Sequence, residues 1–249
     1  MATGGVKLLK EELFGLVDFF FPPLCSLCGQ RLAEENGLFF CRDCLAKFSP
    51  LVSPFCSLCS LPFSGPPGSD HLCGRCLEEP PAFSAVTACG IYEGRLREAV
   101  HHLKYREKFQ LGRALGFLVA EKTASRHCRQ PFDLVVSVPL HRRRLQERTY
   151  NQALLLAEAI GRYLAVPVKP NLLRRFRPTA PQQGLTERDR LDNLKGVFDV
   201  TEKIEGMRLL LVDDVMTTGA TARECGRVLL RGGASSLEVA VVARAARHF

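Results

Sequence analysis

LLLVDDVMTTGAT, residues 209 to 221, joins an apolar run to a polar, glycine-bearing stretch through two adjacent carboxylates. Leu209, Leu210, Leu211 and Val212 form the short unbroken apolar run that a parallel strand covered on both faces requires, so this strand is expected to be central. Asp213 and Asp214 follow at its carboxyl end, the edge at which open α/β sheets hold ligands, and paired acceptors there suit two vicinal hydroxyls. Thr217, Thr218, Gly219 and Thr221 then supply hydroxyls and approachable backbone N–H groups, and the switch from polar to apolar between Thr221 and Leu230 predicts a helix start. A plain strand end followed by a helix cap would use some of the same residues. The order of strand, acidic pair, glycine loop and helix favours an anion cradle the size of a ribose phosphate.

A chain of 249 residues has room for one α/β domain of roughly 150 residues and a small appendage. The net charge of +8 suggests an anionic ligand. Most of that excess is local: between Pro139 and Lys195 ten Arg and two Lys face five acidic residues. A pyrophosphate-bearing substrate needs such a region, and a nucleic-acid surface would also produce it. No stretch reaches the ~20 apolar residues of a membrane span. The nearest, Leu13 to Leu24, is interrupted by Asp18 and closed by Pro22 and Pro23. A secretory pattern is also missing, so a cytoplasmic protein is expected. Leu13, Leu16, Val17 and Phe20 recur at helical spacing, which predicts an amphipathic N-terminal helix over 1–24 packed on the protein itself.

Eight of the eleven cysteines precede residue 77 as four C-x-x-C pairs: Cys25 and Cys28, Cys41 and Cys44, Cys56 and Cys59, Cys73 and Cys76. In a reducing compartment such pairs hold metal far more often than disulfides, and four thiolates close a tetrahedral site for structural Zn²⁺. Two tandem sites, one for each half of the region, need only short loops. A single site with pairs left free, or pairs crossed between the halves, would satisfy the same chemistry. The region over 25–80 is too small for an ample core, and closed sites of this type leave no position for catalysis, so the metal is expected to be structural. Only Arg31, Arg42, Lys47 and Arg75 are basic between Cys25 and Cys76, so no strong DNA footprint is visible there. Cys89, Cys128 and Cys225 stand alone and read as small core or surface residues.

Residues 81–249 carry the larger domain. Ser84 to Ile91 and Phe132 to Val138 read as strands, and Leu96 to Leu103 as the start of a helix bearing His101 and His102. Adjacent helical histidines diverge by about 100° and do not readily share a metal. Leu140 to Asn151 reads as a loop after a strand end, with Arg142, Arg143, Arg144 and Arg148 on it; a solvated basic helix start is the plain alternative. Guanidinium forks there suit a phosphate ligand. Thr179 to Lys195 is polar, rich in Gln and Arg, and too long for an ordinary connection, as functional lids are.

Residues 209 to 221 resemble the 5-phosphoribosyl-1-pyrophosphate (PRPP) binding motif of the type I phosphoribosyltransferases. Together with the cysteine region, HHLKY at 101–105, VSVPLHRRRLQERTYNQ at 136–152 and TAPQQGLTERDRLDNLKGVF at 179–198, they make the chain similar to the ComF family across its whole length. The resemblance implies the type I fold, an open and mostly parallel sheet flanked by helices, with a small N-terminal double zinc ribbon. It implies that Thr217, Thr218, Gly219, Ala220 and Thr221 anchor the 5-phosphate, and that Asp213 and Asp214 hold the ribose hydroxyls. Mg²⁺ would bridge those hydroxyls and the pyrophosphate. Lys104 and Tyr105 gain weight as phosphate contacts, the arginine loop with Asn151 as the pyrophosphate site, and Gln182, Arg190 and Asn193 as members of a mobile hood. One departure stands out: ComF-like chains usually have glycine where this chain has Thr149, which matters if that position needs a positive φ.

The function so implied is phosphoribosyl transfer from PRPP to an unknown acceptor, in a role linked to DNA uptake and natural transformation. Purine-using members of the superfamily commonly carry an acid where this chain has Thr217, and a hydroxyl cannot serve as a general base near neutral pH, so purine salvage is disfavoured. With Cys25 as the first cysteine, no N-terminal nucleophile for glutamine hydrolysis is seen. The rival expectation is a non-enzymatic competence factor that binds single-stranded DNA, senses PRPP or meets DNA-uptake proteins. The absence of Trp and the total of four Tyr weigh mildly against a stacking platform for strands.

Overall fold

A computed structural model describes residues 22–32, 39–66, 68–106, 108–127, 132–176 and 196–246, the side chain of Arg143 excepted. The expected amphipathic helix, the hood residues Gln182, Arg190 and Asn193, and Cys128 lie outside the described residues. The chain divides into two compact units, Met1–Lys47 and Phe48–Phe249, and the division runs between the two cysteine clusters. The first unit is a small ribbon: Leu24 bridges Arg31, the Cys25 N–H donates to the Gln30 carbonyl at 2.8 Å, and helix α1 (Arg42–Ala46) carries Cys44 inward.

The second unit contains α2 (Gly74–Glu78), β1 (Val86–Ile91), α3 (Gly94–Tyr105), α4 (Gln110–Ala124), β2 (Leu134–Ser137), α5 (Arg142–Arg148), α6 (Gln152–Leu164), β3 (Leu173–Arg175), β4 (Phe198–Val200), β5 (Arg208–Met216), α7 (Ala220–Arg231) and β6 (Ser236–Arg244). A parallel sheet runs in the order β1, β6, β5, β2, so the LLLV strand is interior as expected. Leu209, Leu210, Leu211 and Val212 are all buried, which explains why the run does not alternate. A separate antiparallel pair, β3 with β4, brackets residues 177–195.

The sheet separates two apolar layers. Leu134, Val136, Leu209, Leu211, Val239 and Val241 share a core with Cys225, Val228 and Leu229 of α7, and with Cys56, Cys59, Leu61, Cys73 and Cys76 of the second ribbon. The second ribbon is thus part of the covering layer of the sheet. Gly90 marks how closely it docks, because a Cβ there would lie 2.3 Å from the Ser49 carbonyl oxygen.

Two local expectations change. The stretch 140–151, read as a loop, folds its basic run into α5. Strand β5 continues past Val212 to Met216, because Asp213 and Val215 pair with Val241 and Ala243 on β6. The two aspartates therefore sit on paired strand backbone, just ahead of the strand's end.

Candidate functional site

Position on β5 sends Asp213 and Asp214 to opposite faces, as successive strand residues must be. Asp214 is 8% exposed, and its Oδ1 lies 3.0 Å from Lys104 Nζ at the end of α3. Burial alone favours the neutral amine of Lys104, yet the charges of Asp214 and Asp213 hold its pKa above the ordinary lysine range. Asp213 takes the opposite course: burial first, then the charge of Asp214, push its carboxyl up to about 7. The Asp214 N–H, 2.8 Å from Asp213 Oδ1, and Lys104 oppose that rise.

The loop after β5 turns on Gly219, whose φ of +79° is left-handed and favours a residue without Cβ. The Ala220 N–H reaches Thr218 Oγ1 at 3.3 Å, and α7 begins at Ala220. Thr217 is exposed, Thr218 and Thr221 are partly exposed, and Ala220 is buried. Asp213, Asp214, Lys104 and the start of α7 thus form one constellation at the carboxyl end of the sheet.

The arginines form a second group. Arg148 donates to Gln152 Oε1 at 3.1 Å and to the Tyr105 hydroxyl at 3.2 Å, with its guanidinium carbon 4.9 Å from the Tyr105 ring centre. Tyr105 is 60% exposed, so this pair faces solvent. Arg142 is exposed and Arg144 partly so. Asn151 serves the fold: its side-chain oxygen caps α6 by accepting from the Ala153 N–H at 3.1 Å, and its Nδ2 donates to the Val138 carbonyl at 3.1 Å. Thr149 has a φ of +65°, so the position where similar chains carry glycine does adopt the left-handed conformation.

Several residues of the site were not visible in the sequence. Burial, then the charge of Arg144, hold Arg175 below the usual guanidinium range. Cys225 lies fully buried near Asp213, and burial followed by that carboxylate raises its thiol well above the ordinary range. Ser137, in register with Val212, and Gln152 are each 1% exposed and retain an unpartnered Oγ and Nε2. Arg175 and Cys225 belong to no local motif; Ser137 and Gln152 lie in the 136–152 segment, but their place beside the site comes from sheet register and helix packing.

The cysteines gather as two sets, Cys25, Cys28, Cys41 and Cys44, and Cys56, Cys59, Cys73 and Cys76, with sulfurs within 4.8 Å of one another in each. This is the tandem arrangement, and four convergent thiols fit tetrahedral Zn²⁺. The Cys59 and Cys73 N–H groups approach Cys56 Sγ at 3.5 and 3.4 Å. Against the effect of burial, these amides lower the Cys56 pKa, whereas burial and the neighbouring thiols raise Cys59 and Cys76 of the same set.

Comparison with known proteins agrees with both halves. Residues 16–77 match the double zinc ribbon domain and residues 151–248 the phosphoribosyl transferase domain. The chain is 35% identical to the DNA utilization protein YhgH of Salmonella typhi, over 88% of this chain and 95% of that protein. It is 32% identical to competence protein F of Haemophilus influenzae, over 91% of this chain and 99% of that one. Competence protein ComFC of Bacillus subtilis is 26% identical over 84% of this chain and 90% of its own length. Among the described residues no helix is long and apolar enough to cross a membrane. With a cysteine-clustered ribbon, a parallel sheet ending in an acidic pair and relatives that align over nearly their full lengths, the chain belongs to the ComF family, in which a double zinc ribbon precedes a phosphoribosyltransferase domain.

Proposed function

We propose that the chain is a cytoplasmic protein that binds PRPP with Mg²⁺ and transfers its phosphoribosyl group to an external nucleophile. The observation that carries the reading is the placement of Asp213 and Asp214 near the end of an interior strand, which a short loop joins to a left-handed glycine that opens a helix. The 5-phosphate would take the amides and hydroxyls of residues 217–221, and the two carboxylates would accept from the ribose hydroxyls. Carboxylate oxygens at a strand end are the hard donors that Mg²⁺ takes, and the ion would neutralise the departing pyrophosphate. In the transfer the nucleophile forms a bond to ribose C1 as the C1–O bond breaks, and pyrophosphate leaves with the electron pair. Lys104, held on Asp214 at 3.0 Å, is within the constellation to meet substrate phosphate when that pair opens. The arginines of α5, with Arg175, supply cations for the leaving group. Fixing both ends of the sugar is the orientation contribution.

A second reading has its own support. The relatives carry names of DNA utilization and competence, and Arg148 stacked on an exposed Tyr105 is the kind of surface single strands use. In that role the fold serves DNA uptake, with single-stranded DNA or DNA-uptake proteins as partners. Calorimetric titration with PRPP, with and without Mg²⁺, separates the two. The transferase reading requires Mg²⁺-dependent binding that Asp213→Asn/Asp214→Asn removes. Failure of the intact protein to bind would sink it, and strand binding untouched by that variant would support the second reading.

A further inference from the structure

Guanidinium groups join the second cysteine cluster to the loop between β5 and α7. Arg244, the last residue of β6, is 2% exposed. Its Nε donates to the Cys59 carbonyl at 2.8 Å, its Nη1 to the Met216 carbonyl at 2.9 Å and also to the carbonyls of Thr217 and Ala245. Its Nη2 lies 3.9 Å from Cys59 Sγ. Arg75, between Cys73 and Cys76 on α2, donates to the Thr218 carbonyl at 2.9 Å. Arg223, in the first turn of α7, donates to the Glu79 carbonyl at 2.6 Å and to Cys76 Sγ at 3.5 Å.

Two physical consequences follow from these contacts. Arginine does not shed its proton, so a buried guanidinium needs acceptors and a facing negative charge. Four thiolates around a dication leave two negative charges, and Arg244 and Arg223 stand against two of the four sulfurs. The second consequence concerns direction. Across a trans peptide the C=O of one residue and the N–H of the next point opposite ways, and Ser53–Pro54 is the cis bond in the described chain. The Met216 carbonyl is also held by the Ala245 N–H at 3.0 Å within the sheet, but binding the Thr217 and Thr218 carbonyls on the ribbon side turns the N–H groups of Thr218 and Gly219 away from the ribbon. A run of outward N–H groups is an anion nest.

We infer that the second zinc ribbon is the backing of the anion site, with Arg244 and Arg75 as positioning residues that hold the Thr217 and Thr218 carbonyls so that the following amides face the ligand. The inference deepens the PRPP reading and rests on it for the identity of that ligand.

The test uses the full chain with Arg75→Met, Arg244→Lys and, as a control at the opposite end of β5, Arg208→Met, which removes only an exposed pair with Asp133. Zinc content, hydrogen exchange across residues 213–223, and affinities for PRPP and for inorganic pyrophosphate are measured. Arg75→Met should keep its zinc, exchange faster across that segment and bind PRPP about 10-fold more weakly, the effect of losing one charge-assisted hydrogen bond. Pyrophosphate, which has no 5-phosphate to place in the loop, should bind as before. Arg244→Lys should weaken PRPP further, and Arg208→Met should match the parent. Unchanged exchange and PRPP affinity in Arg75→Met, or equal loss of both ligands, would overturn the inference. Where Arg244→Lys does not fold, Arg75→Met decides alone. A parent protein that fails to bind PRPP removes the functional reading, while the exchange comparison still decides whether ribbon and loop are coupled.

Discussion

Thr149 closes α5 with a φ of +65°, and its hydroxyl donates back to the Arg148 carbonyl at 2.6 Å. A left-handed conformation costs an L-residue about 1–2 kcal/mol, and a β-branched one is the least suited to it. Replacing Thr149 with Gly should therefore raise stability by about 1 kcal/mol, read as a higher urea midpoint at unchanged slope. A lower midpoint would show that the hydroxyl bond outweighs the backbone strain. Asp213 gives the protein a pH dependence. Its carboxyl is raised from the ordinary 3.8 to about 7 by burial and by Asp214, so the native state keeps a proton that the unfolded chain releases. Stability should accordingly fall as pH rises from about 4 to 7, a loss absent from Asp213→Asn. The stability gap between Asp213→Asn and the parent, followed by thermal unfolding, should shift in favour of the variant across that window and stay level above it. Because a metal takes the ionised carboxylate, Mg²⁺ affinity should climb over the same range.

At the scale of elements, the turn from β5 to α7 sets the site. Gly219→Ala adds a Cβ at a φ of +79°, 2.5 Å from the Met216 terminal methyl. The methyl can move aside, but the left-handed backbone remains strained by about 1–2 kcal/mol. PRPP affinity should fall by about tenfold with the zinc content unchanged; equal affinity would show that the loop tolerates another conformation. This element was legible because strand, acids, glycine and helix start are contiguous, and each leaves a local signature. The strand's extension to Met216 was not, since it depends on pairing of Asp213 and Val215 with β6. The basic run of 142–148 carries no capping or periodic apolar signal, so its sequence fits a loop and a basic helix start equally, and the structure has the helix. Arg175, Arg75, Arg244 and the pairing of Lys104 with Asp214 are contacts between segments distant in the chain, and residue order does not encode them locally.

For the whole molecule, the two cysteine clusters differ in exposure. Cys56, Cys59, Cys73 and Cys76 are all buried, whereas Cys28 is exposed and Cys41 partly so. A mild chelator with a chromogenic zinc indicator should release metal in two phases, the 25–44 cluster first. A single phase would contradict the independence of the two sites. Linkage adds a sign: if the second ribbon holds the loop, a ligand that holds the loop must stabilise the ribbon by the same coupling. PRPP should slow the second phase and leave the first unchanged.

In the proposed complex one PRPP molecule lies with its 5-phosphate on the 217–221 loop and its pyrophosphate toward the arginines. Phosphorus NMR during titration with the protein and Mg²⁺ reads the two groups separately. The 5-phosphate and both pyrophosphate resonances should shift or broaden together in the parent, and Gly219→Ala should selectively diminish the change at the 5-phosphate. Resonances that stay at their free positions at saturating protein would contradict this placement.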